Sequence, residues 1–307
     1  MTVTSARLFL CVTTLVLAAT VAADGQTMTA QQIYDRMSAD AGALARTGAP
    51  PVAAPRLRDP RPPGLVVDGF KVGDPATVVT GVVVAARADM KVLQAAVANG
   101  ANLVISRTSM FYDSLDRPEG NEDVLKDKLA YIAQNKLVIL RFSDPRTGAE
   151  GLKLASALAE ALGWTTGRKP GNPAEGIVYT VKATTPAEVA ANIKKVTPTR
   201  TVRLLGPRNM PVNGVGFSTE TYRPAAVLPV IARPDVDLFI SGELHETETS
   251  QYIEDSNTLG RPKAMILVGS IQMEQPAARE MVNWLERLLR TVPVTYVATD
   301  DPFIEVP

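Results

Sequence analysis

The chain has 307 residues, 46% of them hydrophobic, enough to build one large core or two ordinary ones, and this excludes an intrinsically disordered protein. Its 32 basic and 32 acidic residues cancel, so no long-range field draws it to nucleic acid or to an anionic membrane surface, and neither is expected as a partner. The only cysteine, Cys11, lies in an N-terminal apolar run, which removes thiol nucleophiles, cysteine zinc sites and disulfides from everything downstream.

That run opens the chain. Arg7 precedes apolar residues from Leu8 to Ala19, followed by small residues at Thr20, Ala22 and Ala23. The pattern predicts a secretory signal peptide over residues 1–23, cleaved after Ala22 or Ala23, and a periplasmic or secreted protein. The run is shorter than the roughly 18 to 20 residues a membrane span requires, so no span is expected once it is removed.

Residues 24–47 read as an N-terminal helix capped by Thr29, with Ile33, Met37 and Leu44 near one face. Residues 48–63 are rich in proline, interleaved with Arg56, Arg58 and Arg61, and read as an extended, solvated linker. From there two periodicities alternate. In a first half, 64–170, strands are expected at Val78–Ala85, Ala101–Ile105 and Leu137–Arg141, and helices at Met90–Ala98, Glu122–Asn135 and Gly151–Leu162. In a second half, 171–307, strands are expected at Gly176–Lys182, Thr201–Leu205, Val212–Phe217, Leu238–Ile240, Ala264–Val268 and Val294–Val297. Its helices are expected at Pro186–Val196, Ala225–Ala232, through Ser250, and at Gln275–Leu289. The fold class that follows is α/β, two α/β halves with mixed sheets flanked by helices.

In open α/β sheets ligands gather beyond the carboxyl ends of strands. Those ends carry Arg107 and Thr108, Arg141 with Ser143 and Asp144, Ser241 to His245, and Gly269, Ser270 and Glu274. Any one of them is most simply a strand turning polar where it meets water; together they define candidates. GVGFS at Gly214–Ser218 lacks the Gly-Lys-Ser/Thr end of a phosphate loop and the G-x-S-x-G of a nucleophile elbow. His245 is the only histidine, so a catalytic triad could run only through it, and no site with two histidine ligands can be built within one chain. Beside Glu243, Glu246 and Glu248 it reads first as a solvated residue, with a proton shuttle or single metal ligand as the functional alternative. The string HETETSQYIED lacks the spacing and central glycine of a calcium loop and suits the first turns of a helix.

The strand ends also match a known pattern. ANLVISRTSMF, Ala101 to Phe111, resembles the ANLIISHHPLF segment of the Nif-three-like family, also labelled GTP cyclohydrolase I type two-like. GFKVGDP at Gly69–Pro75, GVVVAARADMKVLQAAVANGANLVIS, VDLFISGEL at Val236–Leu244 and GSIQME at Gly269–Glu274 resemble further family segments in the same order. The resemblance implies a hexameric protein with a dinuclear metal centre. Its ligands would be a histidine pair, an aspartate, and the histidine and glutamate of a G-H-x-x-x-E pattern. Carried over, the pair falls on Arg107 and Thr108, the aspartate on Asp144, the second histidine on Ser270 and the glutamate on Glu274. Only the two carboxylates survive.

A guanidinium stays protonated and has no lone pair for a metal. It would also set a positive charge against a divalent cation, a repulsion on the order of several kcal/mol before solvent relaxes it. Arg107 is therefore expected either to form an ion pair with Asp144 or Glu274 or to bind a small anionic ligand. The expected pocket comprises Arg107, Thr108, Asp144, Ser270, Glu274, Glu243 and His245, with Asp144 and Glu274 a remnant of the metal set. No cofactor is expected; the alternative is a single divalent metal ion. The expected function is a ligand-binding or scaffold role without metal chemistry, the alternative a metal-dependent hydrolase on a reduced carboxylate site. A homo-oligomer, by resemblance a hexamer, is the expected assembly.

Overall fold

A computed structural model describes residues 27–47, 68–112, 116–117, 120, 122–143, 150–172, 176–217 and 224–304. The expected signal peptide, the proline-rich linker and Asp144 lie outside these residues. The chain builds two five-stranded mixed sheets with helices on their faces, the expected class.

The first sheet holds β1 (Gly69–Val72), β2 (Val82–Ala85), β3 (Leu103–Ser106) and β4 (Val138–Arg141), with helices α2 (Met90–Ala98) and α3 (Asp123–Gln134) as crossovers. β2, β3 and β4 run parallel, and β1 closes one edge antiparallel to β4. The central strands are β-branched, apolar and buried on both faces, as a covered parallel sheet requires. Asp89 starts α2 by accepting the Val92 N–H, the bond expected of an N-cap.

Helix α4 (Glu150–Ala161) leads to the second sheet: β5 (Ile177–Thr184), β6 (Arg203–Leu205), β7 (Val212–Phe217), β8 (Leu238–Ser241) and β9 (Ala264–Leu267). Their order is β5-β7-β8-β9-β6, with both edge strands antiparallel to their neighbours. The helices are α5 (Pro186–Val196), α6 (Pro224–Ile231), α7 (Gln251–Thr258) and α8 (Ser270–Leu289). In α5, Thr185, Pro186 and Glu188 form a complete capping box with proline in the first turn.

The halves exchange elements. α8 follows β9 of the second sheet, yet Ala278, Met281, Val282, Leu285 and Leu289 pack on Val82, Val84, Leu103 and Ile105 of the first. α1 (Ala30–Thr47) joins them through Ile33, Met37 and Ala41, and Asp40 accepts the Trp284 indole N–H at 2.7 Å. Conversely α4 follows β4 of the first sheet and buries Ala155, Leu158 and Ala159 against the second.

Besides end shifts such as β2 starting at Val82 and β3 at Leu103, four elements differ from expectation. β10 (Val294–Tyr296), counted with the second half by its place in the chain, pairs with β2 of the first sheet. α8 begins at Ser270 rather than Gln275, because Pro276 lies within the helix instead of opening it; it forfeits only the bond to the Gln272 carbonyl. The segment through Ser250 starts as a π-helical turn, Glu246–Ser250, ahead of α7. β1 was not expected as a strand, being four half-buried residues next to Gly73.

Candidate functional site

Side chains alternate across a strand, and this sorts the end of the first sheet. Ile105 and Leu140 face α1 and α8, whereas Val104 and Ile139 face α2 and α3. The ladder continues past the strand ends through Arg107 N–H to Ala85 O (3.1 Å) and Phe142 N–H to Ser106 O (2.9 Å). Arg107 therefore points toward α8, and Arg141, which pairs in register with Ser106, points toward α3.

Hydroxyls fix the turn that carries Arg107. Ser106 Oγ accepts the Ala88 N–H at 3.1 Å and donates to Thr108 O at 2.8 Å, and Thr108 Oγ1 donates to Ala86 O at 2.9 Å. The central strand of the second sheet ends alike, with Ser241 Oγ donating to Glu243 O at 2.8 Å. Gly242 then lets β8 meet α8: a Cβ there would lie 2.8 Å from Ser270 Cα. Glycine is required by this close approach.

Between the two sheets Arg107 Nε donates to Glu274 Oε2 at 2.7 Å, with the Arg107 side chain 0% exposed and that of Glu274 6%. Burying both charges costs several kcal/mol each in lost hydration, repaid only by their mutual attraction and further hydrogen bonds. One turn earlier on α8, Ser270 Oγ donates to the exposed Glu243 at 2.5 Å. The fold thus brings together Arg107 with Glu274, and Ser270 with Glu243, on one face of the first turns of α8. Thr108 flanks Arg107 with its hydroxyl committed to Ala86. His245 is exposed, its Nδ1 meeting Glu248 of the π-helical turn. The Glu248 carboxyl is held below the usual range by hydrogen bonds from Thr247 and His245.

The donor inventory follows. Arg107 offers no acceptor, and Thr108 and Ser270 use their hydroxyl protons on oxygen partners. Glu274 faces a guanidinium. Among the described residues no group of three histidine, cysteine, aspartate or glutamate side chains assembles at metal-holding distance.

Three features escaped the sequence. Gln272, 2% exposed, has neither its amide oxygen nor its amide nitrogen hydrogen-bonded among the described residues. Gln275, also buried, is satisfied: Nε2 donates to Thr299 O at 2.7 Å, and Oε1 accepts from the Tyr296 hydroxyl. On the α3 side of β4, Lys71, Arg141, Lys128, Asp68 and Asp116 gather, and burial pushes the Lys128 amine down to about 8. Of these only Arg141 was marked beforehand, by its place at a strand end.

Comparison with known proteins agrees with this architecture. The Staphylococcus aureus hypothetical protein SA1388 superimposes with a TM-score of 0.63 at 14% identity, over 91% of this chain and 100% of that one. A Bacillus cereus protein related to NIF3 gives 0.61 at 13% identity, over 91% and 99%. Reduced HcgD from Methanocaldococcus jannaschii gives 0.59 at 18% identity, over 88% and 98%. At these identities the likeness establishes the fold. No curated protein sequence matches. Among the described residues no helix is long and apolar enough to cross a membrane. The profile of the Duf34/NIF3 (NGG1p interacting factor 3) family matches residues 59–302, most of the chain, and the protein belongs to that family.

Proposed function

We propose that this is an exported Duf34/NIF3 protein in which an internal ion pair stands where the resemblance implies a dinuclear metal centre. It works as a binding or scaffold module, not as a metallohydrolase. The observation that carries this reading is the Arg107 Nε to Glu274 Oε2 bond at 2.7 Å with the guanidinium wholly buried. Metal-assisted hydrolysis needs an ion held by acceptor atoms with a position left open for water. At the implied ligand positions Arg107 supplies a fixed cation, and Thr108 and Ser270 supply hydroxyls engaged elsewhere. These residues do not fit the metal pair. Full burial also sets Arg107 apart from solvent, which favours an internal counter-ion over a receptor for anions. Export rests on the leader pattern of residues 1–23. Self-association, as a hexamer, is part of the proposal.

Restoring ligands tests it. The triple substitution Arg107→His, Thr108→His, Ser270→His is expected to gain zinc, iron or manganese on purification, while the parent chain does not. If the parent hydrolyses cyclic amides or phosphoesters with added metal, and Glu274→Gln abolishes that turnover, the reading fails. Light scattering that finds a monomer removes the assembly part alone.

A further inference from the structure

Two faces of the first sheet end in an arginine, and the second of them is not neutralised as the first is. Arg141, on the α3 face, lies among Lys71 from β1, Lys128 from α3, and the carboxylates Asp68 and Asp116. Lys128 also faces Asp89 and Arg87, and across these seven groups four cations meet three carboxylates.

The geometry makes the imbalance sharper than the count. Asp116 adopts a left-handed backbone, φ 56°, and spends Oδ1 on the N–H groups of Met110 (2.7 Å) and Phe111 (2.9 Å). Its other oxygen alone faces two cations, Arg141 Nη1 at 3.4 Å and Lys71 Nζ at 3.8 Å. Asp68 spends Oδ2 on the Ser143 N–H (2.9 Å) and hydroxyl (2.8 Å), leaving Oδ1 at 4.0 Å from Arg141 Nε. Charge-assisted N–H···O bonds normally measure about 2.7 to 2.9 Å, so the hydrogen bond from Arg141 Nη1 to Asp116 is long and Lys71 pairs with the same oxygen at a distance beyond a hydrogen bond. Arg141 Nε is buried and has no hydrogen-bond partner among the described residues. The one short bond of Arg141 here is to Ser109 Oγ, at 2.9 Å.

Buried cations without full pairing are costly, and such a site is completed by an external anion or by water. Solvent reaches this one: the Lys71 and Arg141 side chains keep 11% and 12% exposure. It lies beyond the carboxyl ends of β3 and β4, where α/β sheets place ligands. We propose that Lys71 and Arg141, assisted by the Ser109 hydroxyl, form a binding site for a small oxyanion, a phosphate group free or carried on a small organic molecule. Arg141 supplies the directed Nε–H and Lys71 a point charge, while Asp116 holds the backbone of Met110 and Phe111. Burial lowers the Lys71 amine, and a bound anion would raise it again. The site stands apart from Arg107 and is independent of how that pair is interpreted.

Isothermal titration of the mature full chain near pH 7 with inorganic phosphate, glycerol 3-phosphate and acetate tests the proposal. Saturable binding of at least one phosphate probe is expected, weakened about tenfold or more by Lys71→Met and by Arg141→Met. Asp68→Asn removes a facing negative charge and is expected to tighten binding severalfold, a gain that misfolding cannot imitate. Arg203→Met, on the exposed pair with Glu246 in the other sheet, leaves binding unchanged. Tighter binding of glycerol 3-phosphate identifies a phosphomonoester ligand, and tighter binding of phosphate identifies the free ion. The proposal is overturned if neither phosphate probe binds, if acetate alone binds, or if folded Lys71→Met and Asp68→Asn both bind phosphate like the parent.

Discussion

Removing one side of the Arg107–Glu274 pair should be far worse than removing both. With the two charge centres about 4 Å apart, an effective dielectric of about 20 gives an attraction of about 4 kcal/mol. Arg107→Met keeps much of the side-chain volume but strands the Glu274 carboxylate between the sheets, where its side chain is 6% exposed. The expected loss of stability is about 3 to 5 kcal/mol, and Glu274→Leu should also destabilise, by removing the carboxylate that accepts the Arg107 Nε–H at 2.7 Å. The double variant loses both charges and their desolvation cost, so it should fall within about 2 kcal/mol of the parent, far short of additivity. Urea denaturation of the four proteins supplies the cycle, provided their m-values agree. If Arg107→Met costs under about 1 kcal/mol and the two changes simply add, the pair is not a structural counter-ion and the argument from burial is wrong.

Gln272→Met should raise stability by about 1 to 3 kcal/mol, since it deletes a buried amide with neither end bonded at little change in volume; a loss in thermal unfolding would show that the amide has a partner in solution. Gly242→Ala should destabilise by about 1 to 3 kcal/mol, because its Cβ would meet the Ser270 Cα at 2.8 Å and push β8 from α8; an unchanged urea midpoint would refute that close approach. Asp301 ties the segment after β10 to the second sheet: burial raises its pKa, but the N–H groups of Phe303 and Arg200, the Thr199 hydroxyl and the Thr201 N–H outweigh burial and hold it below the ordinary value. Its folded pKa being depressed, the stability it contributes is full above the unfolded pKa of about 3.9 and is lost as pH falls through the folded value. Asp301→Asn should therefore lower stability at pH 7 and flatten the acid limb; an equally steep limb would reject the assignment.

Much of this fold was legible because its strands are short β-branched runs separated by helices of small residues, and those periods distinguish themselves. Boundaries slipped where a local contact overrode the period. Ala101 belongs with the end of α2, its N–H bonding to Ala96 O past the positive φ of Gly100, so β3 starts at Leu103. The expected start of α8 at Gln275 was five residues late: the helix runs through Pro276, whose missing N–H costs it a single intrahelical bond. Pairing of β10 with β2 joins residues more than two hundred positions apart, and no local pattern encodes it.

At the site, Arg107 was expected to meet Asp144 or Glu274. The contact with Glu274 is present and Asp144 lies outside the described residues. That expectation came from the resemblance; in the structure Arg107 shares a face with Ile105, and that face carries α8. His245 could not be placed from sequence, because its position depends on how the π-helical turn leaves β8. The Lys71–Arg141–Asp116 cluster was hidden for a different reason: its members come from an edge strand, a central strand and an irregular loop, which share no spacing.

The most direct test of the central claim is the metal content of the protein, purified without chelator after growth with iron, zinc and manganese supplied. The account predicts that none of the three is retained at a level comparable to the protein. Near-stoichiometric metal that disappears in Glu274→Gln would contradict it, because Glu274 would then be a ligand and Arg107 could not be its counter-ion.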